Sequence, residues 1–165
     1  MSQLDYPDQH HLRAADGWLD LGNIIEAEEE LNRISPANFF NPDVLELRWK
    51  IATETNSWQG ALQIARDLID ADPDRAWGWI NQSYCLHELK RTQEAWESLL
   101  LAAGRFPKVS IIPYNLACYT CQLGWLAQAQ TWLDKAVAVG GKTQIKAMAL
   151  SDDDLKPLWP VIEKF

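Results

Sequence analysis

The stretch WINQSYCLHELKRTQEAWESLLLAAGRFP, residues 79–107, decides the fold, because the alanine at its centre recurs along the chain at one interval. Alanines stand in matching contexts at Ala27, Ala61, Ala95 and Ala129, and each interval is 34 residues. A second and a third apolar or small residue follow four and seven residues after each alanine, which is typical of the buried face of an amphipathic helix. The chain is therefore a set of internal repeats, and each repeat must stack on a neighbour to bury its apolar face.

Turn and terminator residues keep the same register. The predicted turns between the two helices of each repeat are Gly22-Asn23, Asn56-Ser57, Lys90-Arg91-Thr92 and Gly124-Trp125. Glycine and asparagine tolerate the left-handed backbone that such turns need. The second helices of the last three repeats are followed by Pro73, Pro107 and Gly141, residues that end a helix.

Eight helices follow from these signals, at 8–21, 24–35, 42–55, 58–71, 75–89, 92–104, 110–122 and 126–138. No segment alternates with period two, so we expect no sheet. The linker SPANFFNP, residues 35–42, replaces the usual end of the first repeat without breaking the register.

The repeats resemble the tetratricopeptide repeat family over roughly residues 8–141. The best matches, in the third and fourth repeats, are Trp79, Ala95, Pro107, Leu116, Ala117, Gly124, Ala129 and Ala136. The resemblance implies an all-α fold, a right-handed superhelical solenoid of helix-turn-helix units. The repeats would span approximately 8–41, 42–75, 76–109 and 110–141.

The last residues, 142–165, are interpreted as a capping segment that covers the open end of the solenoid. Ser151 with Asp152 to Asp154 is the predicted start of a further helix, because acidic residues favour a helix N-terminus. Leu155, Leu158, Trp159 and Ile162 would pack back on the last repeat. The predicted organisation is a single domain over residues 1–165.

Charge and composition limit the classes of partner. The 165 residues include 15 Lys plus Arg and 23 Asp plus Glu, a formal charge of −8. This balance disfavours nucleic acid and anionic membranes as partners. No apolar run of signal-peptide or membrane-spanning length is present, and three cysteines are too few for a disulfide framework. We expect a cytoplasmic protein with reduced thiols.

The resemblance implies that the first helices of the repeats line a concave groove that binds peptides. The predicted groove residues are Lys50, Trp77, Ile80, Asn81, Tyr84, His87, Tyr114, Asn115, Cys118 and Gln122. Asn81 and Asn115 would bond to a peptide backbone, because a side-chain amide both donates and accepts hydrogen bonds. Repeat inheritance without function, or plain solvent exposure, is the alternative for these two residues. Trp77, Tyr84 and Tyr114 are candidate anchors, although Trp77 could equally pack against a neighbouring helix.

The first two repeats make the N-terminal part of this groove acidic. Their groove-face residues are Asp16, Asp20, Asp43, Glu46 and Glu54, with Lys50 as the only base. The predicted partner therefore carries both basic and apolar side chains. A carboxylate clamp, which some members of the family have, is rejected because its cation positions hold Leu12, Asp16, Glu46, Tyr114 and Cys118.

Catalytic and metal chemistry have little support in the sequence. Cys118 and Cys121 form a Cys-x-x-Cys pair, but it lies mid-helix and not at the helix N-terminus where a thiol pKa is lowered. His87 could join the two thiols at a metal, yet no fourth ligand is evident. We expect no enzyme activity, no cofactor and no metal.

The leading hypothesis is a protein-interaction module that acts as an adaptor, scaffold or chaperone-like factor. The alternative is a structural subunit that self-associates through the Trp125 turn or the C-terminal cap. A thiol or metal site at Cys118 and Cys121 is the remote third hypothesis.

Overall fold

A computed structural model describes residues 4–164, and these contain ten α-helices and no β-strand. The helices are α1 Asp8–Asp20, α2 Ile24–Asn32, α3 Pro42–Glu54, α4 Trp58–Ala71, α5 Ala76–Glu88, α6 Thr92–Arg105, α7 Ile111–Gln122, α8 Leu126–Gly140, α9 Lys142–Leu150 and α10 Trp159–Ile162. Short 3₁₀ helices span Pro36–Asn38 and Asp153–Leu158. All eight helices predicted for the repeats are confirmed, with ends within three residues of the prediction. Residues 1–3 and 165 of the predicted domain lie outside the described residues.

The turn between the two helices of each repeat has the same geometry in all four repeats. One residue per turn has a positive φ, and these residues stand 34 apart: Gly22 (74°), Asn56 (55°), Lys90 (62°) and Gly124 (78°). The next backbone N–H donates to the carbonyl five residues earlier, as in Asn23 to Trp18 at 2.8 Å and Arg91 to Leu86 at 2.9 Å. This is the Schellman closure of a helix C-terminus, and it reverses the chain at the same point of every repeat.

The repeated alanines are the contact points between paired helices. Ala27, Ala61, Ala95 and Ala129 have no exposed surface, and the residues four and seven positions later are at most 2% exposed. Helix α1 packs on α2, α3 on α4, and α7 on α8. The small side chain lets the two helices of a repeat approach closely, so the buried stripe predicted from the sequence is confirmed.

The chain divides into two compact units, with the boundary between Gly78 and Trp79 inside α5. We call them the N-terminal unit and the C-terminal unit and describe each by itself. A single domain over residues 1–165 stays a prediction.

A buried carboxylate holds the linker of the N-terminal unit. Asp8, at the start of α1, accepts the backbone N–H of Ser35 (3.0 Å) and the side-chain amide of Asn38 (2.7 Å), and it also bonds to the Ser35 hydroxyl. These hydrogen bonds, the Ser35 hydroxyl first, lower the pKa of Asp8 below its ordinary value. They fix the linker against α1.

The N-cap inside the capping segment lies one residue later than predicted. Ser151 is the C-cap of α9, and the N-cap of the next helix is Asp152, whose Oδ1 accepts the backbone N–H of Asp154 at 3.0 Å. The chain then forms a 3₁₀ helix that packs on α7, while α9 packs on α8. A regular helix is disfavoured here because Pro157 lacks a backbone N–H. Leu155, Leu158 and Ile162 are buried, and the Trp159 indole donates to the Ala149 carbonyl at 2.8 Å.

Candidate functional site

The first-helix face of the N-terminal unit contains an open cleft of about 490 Å³. It lies between the C-terminal half of α1, the C-terminal half of α3 and the first turn of α5. Its lining residues are Asp16, Leu19, Asp20, Gly22, Ile24, Trp49, Lys50, Thr53, Glu54 and Trp77. We call it the Trp49–Trp77 cleft. Two predicted groove residues, Lys50 and Trp77, therefore come together with three of the predicted acidic residues.

Two indole rings form one wall of the cleft. The ring centroids of Trp49 and Trp77 are 6.0 Å apart with an interplanar angle of 66°, an edge-to-face arrangement. Trp77 is 38% exposed, so it both packs on Trp49 and faces solvent. Packing on Trp49 is thus observed, and a role of Trp77 as a binding anchor stays a prediction.

The charges around the cleft are unevenly paired. Lys50 Nζ lies 3.5 Å from Asp16 Oδ1, across from α3 to α1. Asp20 and Glu54 have no hydrogen-bond or ion-pair partner among residues 4–164. Taken with Asp16 and Lys50, they leave the cleft with an excess of two negative charges.

A smaller cleft of about 260 Å³ adjoins the first and shares Asp16 and Lys50 with it. Its two other carboxylates, Asp43 and Glu46, are both engaged by Arg75, at 3.1 and 2.9 Å. Burial raises the pKa of Glu46, and the Arg75 charge opposes that shift. The acidic residues of α3 near its N-terminus are therefore largely satisfied within the chain.

In the C-terminal unit, the chain's own capping segment covers the predicted groove face of α7. The Tyr114 hydroxyl donates to Asp152 Oδ2 at 2.8 Å, and the Cys118 thiol donates to the same oxygen at 3.5 Å. Tyr114 and Cys118 are only 5% and 4% exposed. The predicted face is therefore occupied by a carboxylate of the same chain.

Asp154 extends this contact to α5 and the end of α7. Its Oδ2 lies 2.8 Å from Nε2 of His87, and its carbonyl accepts the Gln122 amide at 3.0 Å. The other ring nitrogen of His87 bonds to the Thr92 hydroxyl at 3.1 Å. Both ring nitrogens of this predicted groove residue are thus engaged.

Apolar burial stabilises the capping segment in its place on the unit. Leu155 and Ile162 have no exposed surface and Leu158 has 5%. Since full burial of each such side chain contributes about 1.5–3 kcal/mol, removing the segment from α7 would cost several kcal/mol. A peptide of ordinary affinity could not displace it without losing much of its binding free energy.

The remaining predicted groove residues differ in accessibility. Ile80 and Asn81 are 7% and 2% exposed, and Nδ2 of Asn81 has no hydrogen-bond partner. Asn115 is half-buried, and Tyr84 is 38% exposed. Burial, followed by the Glu88 charge, raises the pKa of the Tyr84 hydroxyl. Peptide contacts by Asn81 and Asn115 stay a prediction, and the burial of Asn81 disagrees with the open face expected for it.

The thiols of α7 are in surroundings that keep them protonated. Burial, with Asp152 next in importance, raises the pKa of Cys118, and burial with Asp154 raises that of Cys121. Such shifts oppose the thiolate form that redox chemistry and metal binding need. Among residues 4–164, no group of three or more His, Cys, Asp or Glu side chains is arranged to hold a metal ion.

A second cleft of about 490 Å³, on the C-terminal unit, was not predicted. It lies between α6 and α8 and is lined by Leu100, Ala103, Gly104, Phe106, Pro107, Pro113, Trp132, Lys135, Ala138 and Val139. The ammonium of Lys135 stands 3.9 Å from the centroid of the Trp132 ring. The repeat register gives no signal for this cleft, because its lining residues come from outside the buried stripe of each helix.

The described helices, residues 4–164, include none long and apolar enough to cross a lipid bilayer.

Helix-turn-helix units of 34 residues, each closed by the same left-handed turn, define the tetratricopeptide repeat class, and the chain has this fold. Similar solved structures include a crystal structure of MamA, with a TM-score of 0.74 and 13% identity over 84% of this chain and 81% of that one. The thermophilic TPR protein TTC0263 of Thermus thermophilus has a TM-score of 0.68 and 16% identity, covering 94% of this chain and 95% of that one. PilF of Pseudomonas aeruginosa has a TM-score of 0.75 and 21% identity, covering 94% of this chain and 69% of that one.

At these identities the likeness shows the fold alone. The sequence matches no protein-family model and no curated protein.

Proposed function

We propose that the chain is a non-enzymatic protein-interaction module that binds a segment of another protein on the first-helix face of its N-terminal unit. The observation that carries the proposal is the Trp49–Trp77 cleft, an open site with an exposed aromatic anchor. Exposed tryptophan side chains contribute strongly to binding because they supply a large contact area at low entropy cost. The partner would carry basic and apolar side chains and extend along α1 and α3.

The position of the capping segment supports a binding site on the N-terminal unit and not on the C-terminal unit. Because Asp152 and Asp154 occupy the equivalent face of α7, the C-terminal unit offers a partner little of its predicted groove. Tyr84 remains accessible there and is proposed as a secondary contact. An adaptor or scaffold role is consistent with a site that binds a segment and leaves it chemically unchanged.

Capture of partners by the 165-residue chain tests the proposal. Immobilised wild type, Trp77→Ala and Trp125→Ala would be exposed to lysate of the source cell, and bound proteins quantified. Trp125 is the matched control, because it is 39% exposed in the α7–α8 turn and belongs to the competing self-association hypothesis. Loss of a hot-spot tryptophan costs about 2 kcal/mol, or roughly thirty-fold in affinity, so specific partners should be lost from Trp77→Ala alone.

Retention of every partner by Trp77→Ala would contradict the proposed site. Light scattering over a hundredfold range of protein concentration would separate the competing hypothesis. A mass that grows with concentration in wild type and stays monomeric in Trp125→Ala would favour self-association.

A further inference from the structure

Trp49 departs from the repeat pattern at a position that packing alone does not explain. The residues in its register, 34 apart along the chain, are Ala15, Ser83 and Ala117, and none of the three has exposed surface. A small side chain therefore suffices for repeat packing at this position. In the second repeat an indole stands there instead and lines an open cleft with Trp77.

The paired indoles offer a surface suited to a cation. The face of an indole ring is electron-rich, and it attracts an ammonium or guanidinium group within about 6 Å of the ring centroid. The chain uses such contacts elsewhere, since the guanidinium of Arg48 lies 4.8 Å from the centroid of Phe39. The Trp49–Trp77 cleft has the aromatic wall for this contact, and its only resident cation, Lys50, is paired with Asp16.

The carboxylates of the cleft add charge of the matching sign. Asp20 and Glu54 line the same cleft and have no partner among the described residues. Residues 1–78 carry 15 Asp plus Glu against 6 Lys plus Arg, a formal charge of −9, whereas residues 79–165 carry 8 against 9, a charge of +1. The excess negative charge of the whole chain therefore lies in the unit that contains the cleft.

From these observations we infer that the Trp49–Trp77 cleft is a subsite for an arginine side chain of the bound segment. A guanidinium group can stack on an indole while donating two hydrogen bonds to a carboxylate, here Asp20 or Glu54. A volume of about 490 Å³ accommodates such a side chain together with an apolar neighbour. This inference rests on the proposed function and specifies the chemistry of what the site binds.

The test is an NMR titration of the 165-residue chain labelled with ¹⁵N. It follows the indole N–H signals of Trp49 and Trp77, which are assigned with the variants Trp49→Phe and Trp77→Phe. The probes are two blocked pentapeptides, Gly-Leu-Arg-Leu-Gly and its citrulline isostere, which lacks the charge but keeps the shape. We expect the arginine peptide to shift both signals and to bind about tenfold more tightly than the citrulline peptide, from one cation–π contact and one carboxylate pair.

Variants assign that preference to the cleft. In the double variant Asp20→Asn, Glu54→Gln, the affinity ratio of the arginine peptide to the citrulline peptide should fall below about threefold, because the aromatic contact alone remains. The matched control is Glu28→Gln with Asp70→Asn, which removes two exposed carboxylates of α2 and α4 and should keep the preference. Equal loss in both double variants would mean general charge attraction and would overturn the subsite.

The remaining outcomes separate this inference from the proposed function. Equal binding of both peptides at the two indoles would overturn the arginine subsite and leave peptide binding on this face intact. Indole signals that do not respond to the arginine peptide at millimolar concentration would also overturn the subsite. Retention of partners by Trp77→Ala in the capture experiment would instead contradict the proposed function itself.

Discussion

At the scale of single residues, Lys90 is the exception among the four turn residues with positive φ. Gly22, Asn56 and Gly124 are of types that tolerate the left-handed backbone, whereas Lys90 adopts φ of 62° with a long side chain on its Cβ. Left-handed backbone costs an ordinary L residue about 1–2 kcal/mol. A glycine in its place removes this strain, but it also has more conformational freedom in the unfolded chain, and this offsets part of the gain in stability.

We predict that Lys90→Gly raises the free energy of unfolding by about 0.5–1 kcal/mol. The Lys90→Ala variant is the control, because it removes the same side chain but keeps Cβ. Urea denaturation followed by circular dichroism measures both. An equal response of the two variants would show that φ at this turn is not the source of the effect.

Accessibility of single residues was the part that the sequence predicted least well. The 34-residue spacing of Asn81 and Asn115 gives their register, but register alone does not say that Asn81 is 2% exposed. Tyr114 and Cys118 are buried by Asp152, more than 30 residues away, and no local pattern indicates that contact. The link between His11 and Glu30, at 2.7 Å from α1 to α2, was likewise missed.

At the scale of helices, two glycines that both lie within a helix differ in their surroundings. A methyl group on Gly78 of α5 would lie 2.9 Å from Cγ1 and 3.2 Å from the backbone nitrogen of Ile69 in α4, whereas one on Gly17 of α1 would have nothing within 4 Å. Close approach of α4 and α5 therefore requires glycine at position 78 and not at position 17.

The two alanine substitutions should accordingly have opposite signs. Gly17→Ala gains helix propensity and should stabilise the chain by about 0.5–1 kcal/mol. Gly78→Ala gains the same propensity but overpacks a helix contact, a change that costs about 1–3 kcal/mol, so it should destabilise. Thermal unfolding of both variants distinguishes these effects, and a stabilised Gly78→Ala would contradict the close packing described.

Helix positions were predictable because the apolar stripe and the turn residue coincide in all four repeats, and a terminator joins them in the last three. The capping segment has no such redundancy. The acidic residues 152–154 predict an N-cap at Ser151, yet Ser151 is the C-cap of α9 and Asp152 is the N-cap of the helix that follows. Pro157 then favours a 3₁₀ helix where a regular one was expected.

At the scale of the whole molecule, the capping segment should determine the stability of the C-terminal unit. Leu155 has no exposed surface in the 3₁₀ helix that packs on α7, so Leu155→Ala should cost about 2–5 kcal/mol in the free energy of unfolding. Val161→Ala, at a residue 45% exposed, should change it by less than about 0.5 kcal/mol.

Hydrogen exchange of the α7 amides provides the measurement, since loosening of the segment would expose that helix. Similar small effects of the two substitutions would mean that the segment contributes little to the unit. Increased exchange in α7 for Leu155→Ala alone would support stable packing of the capping segment on that helix.

The contacts of Asp152 and Asp154 also end the run of repeats at the fourth one. Ile145 of α9 stands 34 residues after Ile111, the first residue of α7, so α9 lies where the first helix of a fifth repeat would start, but the chain turns back onto α7 after only nine helical residues. That returning segment forms hydrogen bonds with four side chains of the third and fourth repeats: His87, Tyr114, Cys118 and Gln122. A further repeat inserted between α6 and α7 would move His87 away from Asp154 and would therefore break this closure.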